Sequence, residues 1–377
     1  MITDTLTAAR ENHHPISLGS FPTLYDREVT AGVTFAGAER GVWEACASVH
    51  DSRSLRLAIL DEIRRVIAFD AYVWLLTDPV TEVGCAPIAD VPLPDLPHLI
   101  RLKYLTSVNR WTGLKESAAG LRIATDGRPQ ASLVFRELLG GCGVTDVASV
   151  VFRSRSGCWG FLDLWRMSGT YSEPELAFLA SISPSVTEAL RGCQGRTFGL
   201  AASAAARTGP IVLVMSPALE VRAQTAETDA YLRLLVPPGL DGRPIPAGAY
   251  NVAAQLLARE AGVDGHTASA RVHLAGGTWV TLRAARIGDE GNETARDIAV
   301  TIELTAPAER LEVFGRASVL SARETTLLLH LANGSDTRTI ASEMFVSENT
   351  VQDHLKSIFA KTGASSRRVL LAWATGR

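Results

Sequence analysis

Helix-start signals crowd the segment from Leu320 to Arg377, and they fix what it can fold into. The stretch SARE (321–324) is a capping box: Ser321 caps a helix, and Glu324 returns a hydrogen bond to the cap's own N–H. That helix turns Leu327, Leu328 and Leu331 inward and stops at Asn333–Gly334, a common C-terminal pair. Asp336 caps a short second helix with Ile340, Ala341 and Met344 inward, and FVS forms the turn after it. Ser347 caps a third helix, whose positive end suits Glu348. Val351, Leu355, Ile358 and Phe359 recur at helical spacing and form its buried stripe. Gly363 ends it, and Ser365 is the expected cap of a fourth helix bearing Val369, Leu370, Ala372 and Trp373. Two short helices joined by a tight turn, the second with a clean inner stripe, describe a helix-turn-helix.

The other face of the third helix carries Asn349, Gln352, Asp353, Lys356 and Ala360. It is polar and free of bulky hydrophobes, as contact with base edges requires. Small helical bundles that bind proteins share this pattern, so spacing alone leaves an interaction module open. The segments LSARETTLLLHLANG, TIASEMFVSENTVQDHLKSIFAKTGA and SSRRVLLAWA resemble the LuxR-type helix-turn-helix of bacterial transcription regulators. The resemblance covers about 55 residues, and the Leu-x-x-Arg-Glu, Ile-Ala, Val-Ser-x-x-Thr-Val-x-x-His-Leu and Lys-x-Gly patterns fall in register. It implies that the third helix enters the major groove of double-stranded DNA and that the chain acts as a homodimer. By position, Gln352, Asp353 and Lys356 then face the groove, and Thr350, Lys361 and Arg367 or Arg368 face phosphates. Lys or Arg is common in this family at position 352 or 353, where this chain has Gln352 and Asp353, and the departure bears on which sequence is read. Gln can grip adenine in two places and Asp can accept from the cytosine amino group, so the pair is expected to filter sequence while Lys356 and Lys361 hold the backbone.

Charge alone does not single this segment out. Arg323, Arg338, Lys356, Lys361, Arg367, Arg368 and Arg377 stand against Glu324, Asp336, Glu343, Glu348 and Asp353, an excess of +2, and the whole chain carries −3. DNA binding must therefore come from a local patch. The five cysteines are scattered with no C-x-x-C pair, and no N-terminal apolar run resembles a secretion signal, so reduced thiols in a cytoplasmic protein are expected. No stretch is apolar over the ~18–20 residues that a bilayer span requires. No G-x-S-x-G elbow, phosphate loop or H-E-x-x-H occurs, and the histidines never meet cysteines at metal spacing. A non-enzyme without metal or cofactor is expected. A sensor-domain enzyme acting on a nucleotide messenger is the remaining rival.

At 377 residues the chain has room for two or three domains. Residues 1–38 read as a flexible arm. Helical periodicity over Ala38–Ile67 is followed by a strand pair around an Asp-Pro turn in DAYVWLLTDPVTEVGCAPI, then helical pieces through Leu139. A second hairpin turns at Ser154–Gly157, and a long helix starts at Ser172–Glu173, with Pro184 as a kink or break. Residues 39–193 resemble a GAF-type sensor. Five of the seven tryptophans lie there (Trp43, Trp74, Trp111, Trp159 and Trp165), mostly as core, with a small-molecule ligand as a candidate partner. Residues 194–209 read as a small-residue linker. Over 210–305 the order is two strands, helices at Ala226–Leu235 and Ala247–Arg259, a hairpin bending at Gly276–Gly277, and a last strand RDIAVTIELT, which is similar to a PAS-like domain. Residues 306–318 read as a second linker, ahead of the helix-turn-helix domain at 319–377. The expected fold class is multidomain: an α+β GAF-like sensor, an α+β PAS-like sensor and an all-α C-terminal four-helix domain.

Overall fold

Alternation in the strands of the first module sends Trp74, Val150 and Leu162 to one face of a sheet and Val73, Ser149 and Asp163 to the other, and the observed pairing keeps both sets in register. The computed structural model describes residues 34–92, 96–200, 211–228, 247–274, 278–288 and 296–376. The first sheet is antiparallel, in the order β2-β1-β5-β4-β3. Its strands are β1 (Ala71–Thr77), β2 (Gly84–Asp90), β3 (Ala118–Gly120), β4 (Asp146–Ser154) and β5 (Gly157–Arg166). Both expected hairpins are present; the short β3 had no sequence signal.

One face of this sheet packs on α1 (Phe35–Ser48), α2 (Ser52–Arg64) and α5 (Glu173–Thr197), through Ile59, Ile63, Leu179 and Val186. The other is covered by α3 (Leu96–Leu105), the short α4 (Leu121–Ala124) and short helical turns carrying Trp111, Phe135 and Leu139. The arm expected at 1–38 falls outside the described residues up to 33, but its end is helix rather than arm. Thr34 caps α1, Phe35 stacks on Phe178 at 5.2 Å, and Ala38 is fully buried. Pro184 does not break α5, which runs unbroken to Thr197. Buried Ser183 donates to the Val151 carbonyl of β4 at 2.9 Å, and Val186 packs on the sheet beside it, so tertiary contact outweighs the missing backbone bond. Only residues 201–209 of the linker expected at 194–209 lie outside the described residues; 194–197 belong to α5, and Phe198 is buried.

The second sheet is also antiparallel, in the order β7-β6-β10-β9-β8. It comprises β6 (Ile211–Met215), β7 (Val221–Gln224), β8 (Ser269–His273), β9 (Trp279–Arg286) and β10 (Ile298–Leu304). Most of the helix expected at Ala226–Leu235, and the bend at Gly276–Gly277, fall outside the described residues. Helix α6 (Ala247–Glu260) is buried almost all round, because one side lies on this sheet through Val252 and Ala253 and the other meets α3 of the first module.

The two modules are tied by charge. Asp78, fully buried in the β1–β2 turn, accepts from Arg271 of β8 at 2.6 and 2.8 Å, and Arg271 also donates to Glu312 at 2.8 Å. Glu312 lies in α7 (Pro307–Ala317), so the stretch read as a linker at 306–318 is a packed helix across the outer face of β8 and β9. Its Arg310 is buried, and no carboxylate lies beside it among the described residues. Instead it donates to the Trp373 carbonyl at 3.2 Å and lies 5.0 Å from the Phe198 ring, which stacks on Trp279 at 4.6 Å. Burial pushes the guanidinium down to about 10. The terminal helices α8 (Ala322–Ala332), α9 (Thr337–Glu343), α10 (Glu348–Thr362) and α11 (Arg367–Thr375) follow.

Candidate nucleic-acid interface

The terminal helices form where their caps place them. Ser321 N–H donates to Glu324 at 2.6 Å, Asp336 accepts from Thr339 N–H at 2.7 Å, and Ser347 from Thr350 N–H at 3.1 Å. The fourth cap is a correction: Ser366, not Ser365, accepts from Val369 N–H, because α11 begins at Arg367. Val351, Leu355 and Ile358 are buried as expected, while Phe359 is half-buried at the edge of the stripe.

Glu324 does more than close its own capping box. Its side chain is buried, and it accepts from Ser357 and Lys361 of α10, each at 2.6 Å. One carboxylate therefore fixes the start of α8 and the later half of α10 together. Burial alone would raise its pKa, but bonds from Lys361, Ser357 and Ser321 prevail and hold it at about 2. The capping signal was legible in the sequence; the second use of the same carboxylate was not, since Lys361 lies 37 residues away.

Gln352, Asp353 and Lys356 stand exposed on one face of α10, with Asn349 and Ala360. Asp353 and Lys356 form an ion pair at 2.9 Å, with side chains 72% and 76% exposed, so it adds little stability. The residues expected on the phosphate side are more scattered. Thr350 is half-buried, with its hydroxyl 2.9 Å from that of Ser347. Lys361 is held by Glu324, Arg367 donates to the Thr337 hydroxyl at 3.1 Å, and Arg368 is exposed. Arg323 and Arg338 are also exposed on the same module.

Upstream, four of the five tryptophans of the first module are buried and Trp43 is 56% exposed. Beneath Trp111 lies a buried polar group. Lys103 pairs with Asp163 at 2.8 Å, and Asp163 also accepts from Trp111 Nε1 at 2.9 Å and from Ser149 at 2.6 Å. Trp111 itself stacks on Phe161 at 5.4 Å. Burial pushes the Cys85 and Cys158 thiols up to about 12, which leaves them protonated and poor nucleophiles. Among the described residues no three His, Cys, Asp or Glu side chains converge as metal ligands would, and no helix is long and apolar enough to cross a membrane.

Residues 318–374 match the family described as bacterial regulatory proteins, luxR family. The probable transcriptional regulatory protein SgaR of Hyphomicrobium methylovorum is 45% identical over 53 residues, 14% of this chain and 25% of that one. The CsgBAC operon transcriptional regulatory protein of Escherichia coli K12 is 36% identical over 58 residues, 15% and 27% of the two chains. The chain thus spans about a quarter of the length of the curated relatives it matches. Among solved structures, Escherichia coli SdiA aligns over 91% of this chain and 98% of its own, at 13% identity and a TM-score of 0.33. The chromophore-binding domain of the bacteriophytochrome RpBphP3 from R. palustris aligns over 41% and 59%, at 13% identity and a TM-score of 0.28. The C-terminal module is a LuxR-type helix-turn-helix, preceded by two antiparallel-sheet modules.

Proposed function

We propose that this chain is a cytoplasmic transcription regulator that binds double-stranded DNA sequence-specifically, as a homodimer, through the major groove. The observation that carries the reading is α10: its apolar stripe is locked into the module, while Asn349, Gln352, Asp353 and Lys356 stand exposed on the opposite side. Gln352 is assigned to adenine, Asp353 to a cytosine amino group, and Lys356 to a base or phosphate. Thr350, Arg368 and Arg367 are assigned to phosphates. Lys361 joins them only with the donors that Glu324 leaves unused.

The upstream modules, GAF-like over 39–193 and PAS-like over 210–305, are assigned the role of sensing and of biasing dimer geometry. The path to DNA is supported by α5, whose Arg191 donates to the Ala317 carbonyl at the end of α7 at 2.5 Å. The decisive experiment selects genomic fragments with the purified full chain, then titrates the enriched duplex against salt. Lys356→Ala is expected to lower affinity; a shallower salt slope assigns the lysine to phosphate, and a sequence-selective loss assigns it to a base. Selection of no sequence would turn the reading toward a module that pairs with another regulator.

A further inference from the structure

The turn between α9 and α10 closes in a Schellman arrangement, with Phe345 N–H donating to the Ser342 carbonyl at 3.3 Å and Val346 N–H to the Ala341 carbonyl at 3.0 Å. Its left-handed position is normally a glycine's. Here it is Phe345, at φ +55. The ring gains nothing inside the chain in return: it is 94% exposed, whereas the next most exposed large hydrophobic among the described residues, Trp43, is 56% exposed. A strained backbone that presents a bare aromatic ring points to a contact outside the molecule.

Position decides which contact. One residue, Val346, separates Phe345 from the Ser347 cap of α10, so their Cα atoms lie within about 7 Å. The exposed Asn349 and Gln352 continue from that cap along the face of α10. In a helix-turn-helix the start of the second helix meets base edges and the preceding helix crosses the backbone, which puts the turn at the lip of the groove. We infer that Phe345 is a DNA-contact residue, laying its ring on the apolar surface of the duplex at the groove edge, either a thymine methyl or a deoxyribose face. The inference rests on the proposed DNA binding and adds an uncharged contact to it.

The backbone geometry supplies variants that remove the ring without unfolding the turn. Glycine and asparagine both accept the left-handed conformation, so Phe345→Gly and Phe345→Asn keep or raise stability in a melt. With the full chain and its selected duplex, both are expected to lower affinity about tenfold, as losing one buried aromatic contact does, with the salt slope unchanged because no charge is removed. Replacing thymine by uracil at the half-site edges separates the two surfaces. A loss for wild type that is absent in Phe345→Gly assigns the ring to the methyl, and equal binding of both duplexes assigns it to the sugar. Wild-type binding that Phe345→Gly leaves intact overturns the inference. If transcription in vitro falls with that intact binding, the ring serves a protein partner such as the polymerase. Wild type is titrated first, and if it selects no duplex, the proposed function fails and this contact with it.

Discussion

Replacing Glu324 by glutamine tests the joint between α8 and the DNA-facing helix. Glutamine keeps the shape and can still accept from Ser321 N–H, so the change isolates the negative charge facing Lys361. The carboxyl is held at about 2 against an ordinary value of 4.5, and at ~1.4 kcal/mol per unit this corresponds to ~3 kcal/mol at neutral pH. The Glu324 side chain is only 4% exposed but Lys361 opposite it is 36% exposed, so solvent screening makes this the upper end of the contribution. The sign follows from the lowered pKa. The contribution is complete above the unfolded-state value and is lost as pH falls through the folded one, leaving ~1 kcal/mol near pH 3 and almost none at pH 2. The assay is hydrogen exchange of peptides covering 347–362 in wild type and Glu324→Gln at matched pH. At pH 7 the variant should exchange about a hundredfold faster, and at pH 3 about tenfold or less. Equal protection at pH 7, or a difference that does not shrink toward pH 3, would refute the argument that the charge locks α10.

Three further outcomes are expected. Asp78→Asn breaks the buried pair with Arg271 that joins the two sheet modules, and should destabilise the chain by ~3–5 kcal/mol in urea unfolding; a change below about 1 kcal/mol would mean that Glu312 suffices for Arg271. Arg310→Met keeps an apolar stem but leaves the Trp373 carbonyl without that donor, and should loosen α7 from α11 by ~2–3 kcal/mol. Limited proteolysis between α7 and α8, at residues 318–321, and small-angle scattering would detect the released terminal module. Asp353→Ala removes a carboxylate from the DNA-facing side and frees Lys356; non-specific affinity should rise by about 1 kcal/mol at low salt while the preferred sequence is less sharply selected. Unchanged specificity and salt dependence would make Asp353 a bystander.

The terminal module was the most legible part of the chain, and the reason is local. Its caps at Ser321, Asp336 and Ser347 satisfy backbone groups within three residues, so a short window of sequence contains both partners. All the strands but the short β3 were legible for a similar reason, since runs of β-branched and aromatic residues such as those around Trp74 and in Trp279–Arg286 are local signals. The fourth cap slipped by one residue because Ser365 and Ser366 are equivalent in sequence, and only the path of the chain after Gly363 chooses between them. Phe345 was read as part of a turn, and nothing in the sequence indicated that its ring would be left bare.

The sequence by itself determined most of the helices and strands, and that the third terminal helix has a polar face opposite an apolar one, because periodicity and capping are properties of neighbours along the chain. Only the tertiary structure decided how those pieces share their charges. The stretch 306–318, with its polar and small residues, resembles a connector until the outer face of β8 and β9 and the Phe198–Trp279 stack give Arg310 and Glu312 partners. Lys361, assigned to phosphate from the sequence, is also brought by folding to within 2.6 Å of Glu324. A buried charge needs a partner, and the partner's distance along the chain, 37 residues for Lys361 and 193 for Arg271, is invisible to any local pattern.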